Sequence, residues 1–231
     1  MRLDDSTLRW AMSELHRLFP HVHGLQDVSL GECVDDKGRT HYTNVEVAQA
    51  AMQVHFQRNP AHWVWSAKFG HDVFVGSTSR GPIPTLIGQQ LLDLYAAAGE
   101  DTLSCNQVTI QQQRDSLSCG VICIAYLYQL ALTLDVSTVS WWRYKTTELW
   151  KWFKHCAEHG SLVPPPLSTL PQEDAPGCMY AVVEVAAVGP AVLEEAAAGP
   201  GEVMRVRKPL RRSSDAVQSE PNVTSASCAG D

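Results

Sequence analysis

The first segment of the chain carries apolar residues at helical spacing. Apolar positions three and four apart share one face of an α-helix, so the spacing predicts an amphipathic helix over residues 3–18. We expect Asp5 or Ser6 to cap its start, because their side-chain oxygens can accept from the free N–H groups there. Pro20 and Gly24 are expected to end it. The apolar stripe consists of Leu8, Ala11, Met12, Leu15 and Leu18.

A β-hairpin is predicted in the next part of the chain. Residues 62–67 and 72–75 are rich in Trp, Val and Phe, which favour strands. The intervening residues 68–71 contain Gly70 and predict a turn. Three further elements are predicted around the hairpin: a strand or short helix over residues 45–56, a helix over 86–98 ended by Gly99, and a strand over 104–113.

Residues 120–134 are apolar almost all round. A helix without a polar face belongs in the centre of a domain, so this segment predicts a buried helix with Cys119 at its start. Residues 141–159 predict a final amphipathic helix, which the prolines at 164–166 follow. Helices and strands in this order indicate an α+β domain with a central mixed sheet flanked by helices. The expected core residues of the last helix are Trp142, Leu149, Trp152, Phe153 and Cys156.

Composition divides the 231-residue chain into a domain and a tail. Residues 168–231 are rich in Ala, Gly, Pro, Glu and Ser, with Tyr180 as their single aromatic residue. Such a segment buries too little apolar surface to offset the entropy of ordering, so a flexible tail is expected after a domain over residues 1–167. The basic cluster at 205–212 is interpreted as a solvated patch in preference to a nuclear signal.

Charge and cysteine content exclude several classes of protein. The net charge of −7 argues against a nucleic-acid binder driven by bulk charge. No apolar run reaches the roughly 18–20 residues of a membrane span, and the first residues do not form a secretory signal. The seven cysteines are odd in number and lack CxxC pairs, so a secreted disulfide framework is not expected. The sequence leaves the oligomeric state open.

Three residues have the chemistry of a cysteine hydrolase. Cys119 is predicted at a helix N-terminus, where the helix dipole favours the thiolate, and Gly120 leaves room for a substrate beside it. His62 can activate such a thiol, and the Gln113 amide can donate to an oxyanion. Each of these residue types alone is more often structural. His155 and His159 have a spacing that a metal could use, but one helix supplies only this pair, so a solvated helix end is the favoured interpretation.

The joint arrangement resembles a known family. His62-Trp63, a hairpin, and then Gln113 six residues before Cys119-Gly120 resemble the SUMO/ubiquitin-like-protein-specific cysteine proteases, also called sentrin-specific or adenain-like proteases. Residues 3–8 are similar to the opening segment of the family. The segments 19–26, 111–120 and 143–166 are similar to members found near animal transposable elements and in uncharacterised eukaryotic proteins.

The resemblance implies a papain-like α+β fold with Cys119 heading a buried helix. It implies Cys119 as nucleophile, His62 as general base, and Gln113 with the Cys119 N–H as oxyanion donors. The family hydrolyses peptide or isopeptide bonds after the Gly-Gly end of a ubiquitin-like modifier, through a thioester and without a cofactor. The expected partners are therefore such modifiers or their conjugates, and the expected location is intracellular, in nucleus or cytoplasm. Because the chain begins at the family's first recognisable segment, an N-terminally truncated domain is one interpretation.

Two positions depart from the family pattern. By motif, the family's imidazole-orienting Asp corresponds to Gly76, and Asp72 is about 13 Å away along the strand and is not expected to replace it. The family's Asp before the nucleophile is Ser118 here, and whether Asp115 compensates is open. An impaired peptidase is therefore expected, and the alternative is a catalytically inactive module that still binds a ubiquitin-like modifier or another partner.

Overall fold

The computed structural model describes residues 3–58, 60–78, 81–113, 115, 117–169 and 180–187. Four α-helices occur in these ranges: α1 (Asp5–Leu18), α2 (Thr85–Tyr95), α3 (Cys119–Thr133) and α4 (Thr146–His159). The strands are β1 (Ala50–Gln57), β2 (His62–Phe69), β3 (Asp72–Ser77), β4 (Thr102–Thr109), β5 (Trp142–Arg143), β6 (Ser168–Thr169) and β7 (Tyr180–Ala186). Short 3₁₀ turns cover Val28–Gly31 and Val139–Trp141.

Five of the described strands form the central sheet, in the order β1-β2-β3-β4-β7. β3 and β4 are parallel, and the other neighbours are antiparallel. The parallel pair requires a crossover, which α2 supplies between β3 and β4. The α+β class with a mixed sheet, predicted from the sequence, is confirmed, as are the hairpin and the strand interpretation of the segment before it.

The sheet separates two apolar cores because alternate strand residues face opposite sides. Trp63 and Trp65 of β2 face the larger core, which contains the apolar residues of α1, α3 and α4. Val64 faces the smaller core, formed with α2. α3 lies between β2 and α4 and is buried over nearly its whole length, as its apolar sequence predicts. None of the helices in the described ranges is both long and apolar enough to cross a membrane.

Three helix ends differ from the sequence prediction. Asp4, not Asp5 or Ser6, caps α1, since its Oδ1 accepts from the Thr7 N–H at 2.8 Å. α2 ends at Tyr95, before Gly99, because the Asn44 amide donates to the carbonyls of Asp93 and Ala96.

α4 begins at Thr146, five residues later than expected. The Gln111 side chain explains the delay, because its oxygen accepts from the Tyr144 N–H at 2.6 Å and its nitrogen donates to the Tyr144 carbonyl at 2.8 Å. These bonds hold the backbone of Tyr144 outside the helix. Trp142, placed in this helix by the prediction, lies instead in β5 and is still buried in the larger core.

β7 lies beyond residue 167, in the segment for which composition predicts a flexible tail. It pairs with β4 over its whole length, from Thr102 opposite Ala186 to Val108 opposite Tyr180. Val183 and Val185 are buried in the smaller core. The average composition of the segment conceals a short, β-prone run that can cover an apolar sheet edge. The basic cluster at 205–212 lies outside the described residues.

A buried polar network joins β1, β2 and α2. The His55 Nδ1 donates to the Gln90 amide oxygen at 2.9 Å, because that oxygen can only accept. Nε2 therefore accepts from the Ser66 hydroxyl at 2.7 Å, and Ser66 accepts from the Tyr95 hydroxyl at 2.7 Å. Burial lowers the pKa of His55 to about 4, and the Gln90 bond acts in the opposite direction without cancelling the effect. The network is therefore built around a neutral imidazole.

Candidate active site

Cys119 is the first residue of α3, as the sequence predicts. The helix has 15 residues, so its dipole places a positive field at the Cys119 end. The side chain is 4% exposed and belongs to the larger core. The N-terminus of a helix is one of the environments in which nucleophilic cysteines occur.

The start of α3 packs against the start of β2. A Cβ on Gly120 would lie 3.0 Å from the Trp63 Cδ1 atom, which is closer than most real contacts of a Cβ. The residue after Cys119 therefore has to be small, and it contacts the residue after His62. The structure thus brings the segments that carry Cys119 and His62 alongside one another.

His62 is the first residue of β2 and is 6% exposed. Its Nε2 lies 3.0 Å from the Ser77 Oγ atom at the end of β3. Burial lowers the pKa of His62 below its usual value. The imidazole is therefore neutral at physiological pH, the form that a general base requires.

The hairpin register corrects the assignment of Gly76 to the imidazole-orienting position. Trp65 pairs with Gly76, and Val64 pairs with Ser77. His62 and Val64 lie on the same face of β2, so Ser77 shares their face, whereas Gly76 is on the face of Trp65. A Cβ on Gly76 would lie 2.2 Å from the Trp65 ring.

Ser77, which the motif alignment missed, is therefore the residue beside the imidazole. The sequence predicts a turn over residues 68–71, whereas Phe69 pairs with Asp72 and only the two residues between them form the turn, which fixes the register. Asp72 pairs with Phe69 at the opposite end of the hairpin, which supports the expectation that it does not replace the missing carboxylate.

Gln113 is fixed by the residue next to Ser77. The Thr78 hydroxyl donates to the Gln113 amide oxygen at 2.9 Å, and the Gln113 N–H donates to the Thr78 carbonyl at 3.1 Å. Thr78 is 1% exposed, so this anchor is rigidly held. Because the amide oxygen is engaged, the donor nitrogen is directed away from Thr78.

His62, Ser77 and Gln113 line one cavity of about 460 Å³, and Cys119 is not among its lining residues. The structure therefore brings the predicted base, His62, and the predicted oxyanion donor, Gln113, to a common space, together with Ser77. The other walls of the cavity are formed by Gln57, Pro60, Ala61, Val64, Val75, Gly81, Pro82, Ile83, Pro84 and Gln107.

Asp115 organises the turn that leads into Cys119. Its Oδ1 accepts from the N–H groups of Leu117 and Ser118, both at 2.8 Å, and its Oδ2 accepts from the Ser118 hydroxyl at 2.9 Å. Burial opposes ionisation, but these bonds hold the pKa of Asp115 below its usual value. The Trp150 indole N–H donates to the Ser118 Oγ at 2.9 Å, which ties the turn to α4. Asp115, three residues before Ser118, thus holds the residues that precede Cys119.

His155 and His159 lie on the exposed side of α4, with ring centroids 4.0 Å apart. The His159 Nδ1 lies 2.8 Å from the His155 carbonyl oxygen. The described ranges hold no group of three His, Cys, Asp or Glu side chains that could bind a metal ion.

Solved structures of a SUMO protease have a similar fold. One is the SUMO protease Ulp1 with its catalytic cysteine oxidised to a sulfonic acid, which is similar with a TM-score of 0.53 at 13% identity, over 69% of this chain and 80% of that chain. Ulp1 with this cysteine oxidised to a sulfenic acid gives 0.50 at 13% identity over the same shares of the two chains. No family model and no curated protein sequence matches the chain.

At this identity the similarity establishes the fold alone. The protease-like architecture implied by the sequence motifs is confirmed. The roles of Cys119, His62 and Gln113, and the branch of transposon-associated members, stay predictions.

Proposed function

We propose that the protein is a cysteine peptidase that hydrolyses the peptide or isopeptide bond after the C-terminal glycine of a ubiquitin-like modifier. The observation that carries the proposal is the packing of Gly120 on Trp63, which joins the helix terminus bearing Cys119 to the strand end bearing His62. The proposed substrate class is drawn from the SUMO proteases that share the fold. With that substrate class, we propose a location inside the cell, in nucleus or cytoplasm.

In the proposed reaction, His62 removes the thiol proton of Cys119, and the thiolate attacks the carbonyl carbon of the terminal glycine. The tetrahedral oxyanion accepts hydrogen bonds from the Gln113 amide and from the backbone N–H of Cys119. Collapse breaks the C–N bond, and the imidazolium returns its proton to the leaving amine. Water, deprotonated by His62, then hydrolyses the thioester and releases the modifier. Every proton moves between substrate, thiol, water and imidazole, so the cycle needs no cofactor.

A second candidate function is a protease-like module that binds the modifier without cutting it. The observation that favours it is that the group beside the His62 Nε2 atom is the neutral hydroxyl of Ser77. A hydroxyl cannot offset the charge of the imidazolium that forms during catalysis. Both functions require binding of the modifier, but only the peptidase cleaves it.

A modifier carrying a C-terminal vinyl sulfone tests the proposal on the full chain. The expected result is one covalent adduct on Cys119, abolished in Cys119→Ser and retained in Cys33→Ser. Cys33 is an exposed thiol and provides the matched control for non-specific alkylation. A folded wild-type protein that binds the modifier without forming the adduct would establish the binding module and overturn the peptidase.

A further inference from the structure

We propose that Ser77 is the positioning residue of His62, with its hydroxyl oxygen accepting the Nε2 proton so that Nδ1 carries the lone pair of the base. The inference rests on the proposed peptidase function, since it assigns Nδ1 as the nitrogen of His62 that accepts the proton. In this proposal a neutral hydroxyl takes the role that a carboxylate has in the family pattern. The hydroxyl belongs to Ser77, whereas the motif assigns the position to Gly76.

The first support is the geometry of the pair. The Nε2–Oγ distance of 3.0 Å is that of a normal hydrogen bond, and the imidazole is 6% exposed. A buried ring nitrogen needs a partner, because an unpaired one loses the hydrogen bond that water would give it in the unfolded chain. The bond therefore selects one orientation of the ring as well as satisfying the nitrogen.

The second support is the rigidity of Ser77. Its backbone pairs with Val64 of β2 on one side and with Thr109 of β4 on the other. A hydroxyl on a strand that is held on both sides has few positions to occupy. The next residue, Thr78, holds Gln113, so the end of β3 fixes the proposed base and the proposed oxyanion donor together.

The third support is chemical. A serine hydroxyl fixes the tautomer of an imidazole without adding charge, and Ser77 neither gains nor loses a proton in the cycle. A thiol ionises more readily than a hydroxyl, so a cysteine nucleophile depends less than a serine nucleophile on a charged orienter. A neutral positioning residue is therefore compatible with the proposed reaction.

The test combines a spectroscopic readout with kinetics. Long-range ¹⁵N–¹H correlation spectra of the full chain report which ring nitrogen of His62 holds the proton. We expect the Nε2–H tautomer in the wild type and in Ser77→Thr, and a mixture of tautomers in Ser77→Ala. The turnover number for a modifier with a fluorogenic C-terminal amide is expected to fall about 3- to 10-fold in Ser77→Ala, the equivalent of one hydrogen bond, with unchanged KM.

A wild-type His62 with its proton on Nδ1 overturns the proposal, and that measurement needs no variant to fold. An unchanged tautomer in a folded Ser77→Ala protein overturns it as well. Failure of the peptidase proposal has a different signature, because the Nε2–H tautomer and its dependence on Ser77 would persist in a protein that does not turn over the substrate.

Discussion

Trp65 and Gly76 face each other across the β2–β3 pair, and a Cβ on Gly76 would lie 2.2 Å from Cε2 and Cζ2 of the indole. The indole also stacks on Tyr126 of α3. The indole ring of Trp65 leaves no room for a Cβ at position 76, so core packing between the sheet and α3 explains the glycine.

Gly76→Ala is expected to destabilise the protein by about 1–3 kcal/mol, and Gly76→Asp by more, because the added atoms overpack the core against Trp65. Gly76→Asp is not expected to raise activity. Denaturant unfolding measures the loss. Gly88→Ala is the matched control, since its Cβ would make only an ordinary 3.4 Å contact with Val185.

The cause can be isolated by adding Trp65→Leu to each protein. The smaller side chain leaves room for a Cβ on Gly76, so Gly76→Ala is expected to cost less in that background. Equal losses in both backgrounds would contradict the packing explanation.

Ser77→Asp places a carboxylate on the face of β3 that carries the His62 partner. We expect the pKa of His62 to rise, since an adjacent negative charge favours the imidazolium. Turnover is expected to rise with it, because the imidazolium formed during catalysis gains a counter-ion. NMR titration measures the pKa, and Ser77→Asn controls for size without charge. A pKa that rises equally in both variants would contradict an electrostatic cause.

Gln113→Ala is expected to lower turnover about 10²- to 10³-fold by removing an oxyanion donor, with little change in KM. Thr78→Val should reproduce part of this loss, because it removes the bond that orients the Gln113 amide. Steady-state kinetics provide both numbers. Gln112→Ala changes a neighbouring amide that donates to the Ile110 carbonyl two residues away, and it should leave turnover intact.

Asp115→Asn keeps an acceptor for the backbone N–H groups but loses the oxygen that accepts from the Ser118 hydroxyl. We expect about 1 kcal/mol less stability and a rate of vinyl-sulfone labelling at Cys119 that is about three- to tenfold lower, because the turn before the nucleophile loosens. Asp135→Asn is the control, since Asp135 accepts from the Ser137 N–H just after α3. Equal effects of the two substitutions would refute a specific role for Asp115.

Acid is expected to destabilise the protein through His55. The folded pKa is about 4 and the unfolded value is 6.5, so the unfolded chain binds the extra proton between these pH values. The stability contributed by the neutral imidazole is fully present above pH 6.5 and is lost as the pH falls toward 4. The loss amounts to about 3 kcal/mol over the window, and the lowered pKa of His62 adds to it in the same direction.

Free energies of unfolding measured from pH 7 to pH 4 check this slope. In His55→Gln, the unfolding free energy should depend less steeply on pH, by the equivalent of about one proton taken up on unfolding. His71→Gln controls for the loss of an exposed histidine on the hairpin turn. An unchanged slope in His55→Gln would show that another group titrates.

Local sequence determined α1, the hairpin, the buried α3 and the position of Cys119 at its start. These features follow from the spacing of apolar residues and from turn residues, which act within a few positions of one another. The motif around Gln113, Cys119 and Gly120 likewise indicated the protease-like fold, because it is a short contiguous stretch of sequence that can be compared directly.

Only the tertiary structure decided which side chain meets His62. Successive strand residues face opposite sides of the sheet. An error of one residue in the alignment therefore selects Gly76, which packs in the core, in place of Ser77, which lies beside His62. Contacts between distant segments also decided the rest: β7 covers β4, Gln111 delays α4, and Trp150 reaches Ser118. Such contacts depend on where the fold places each segment, which the local pattern of residues does not contain.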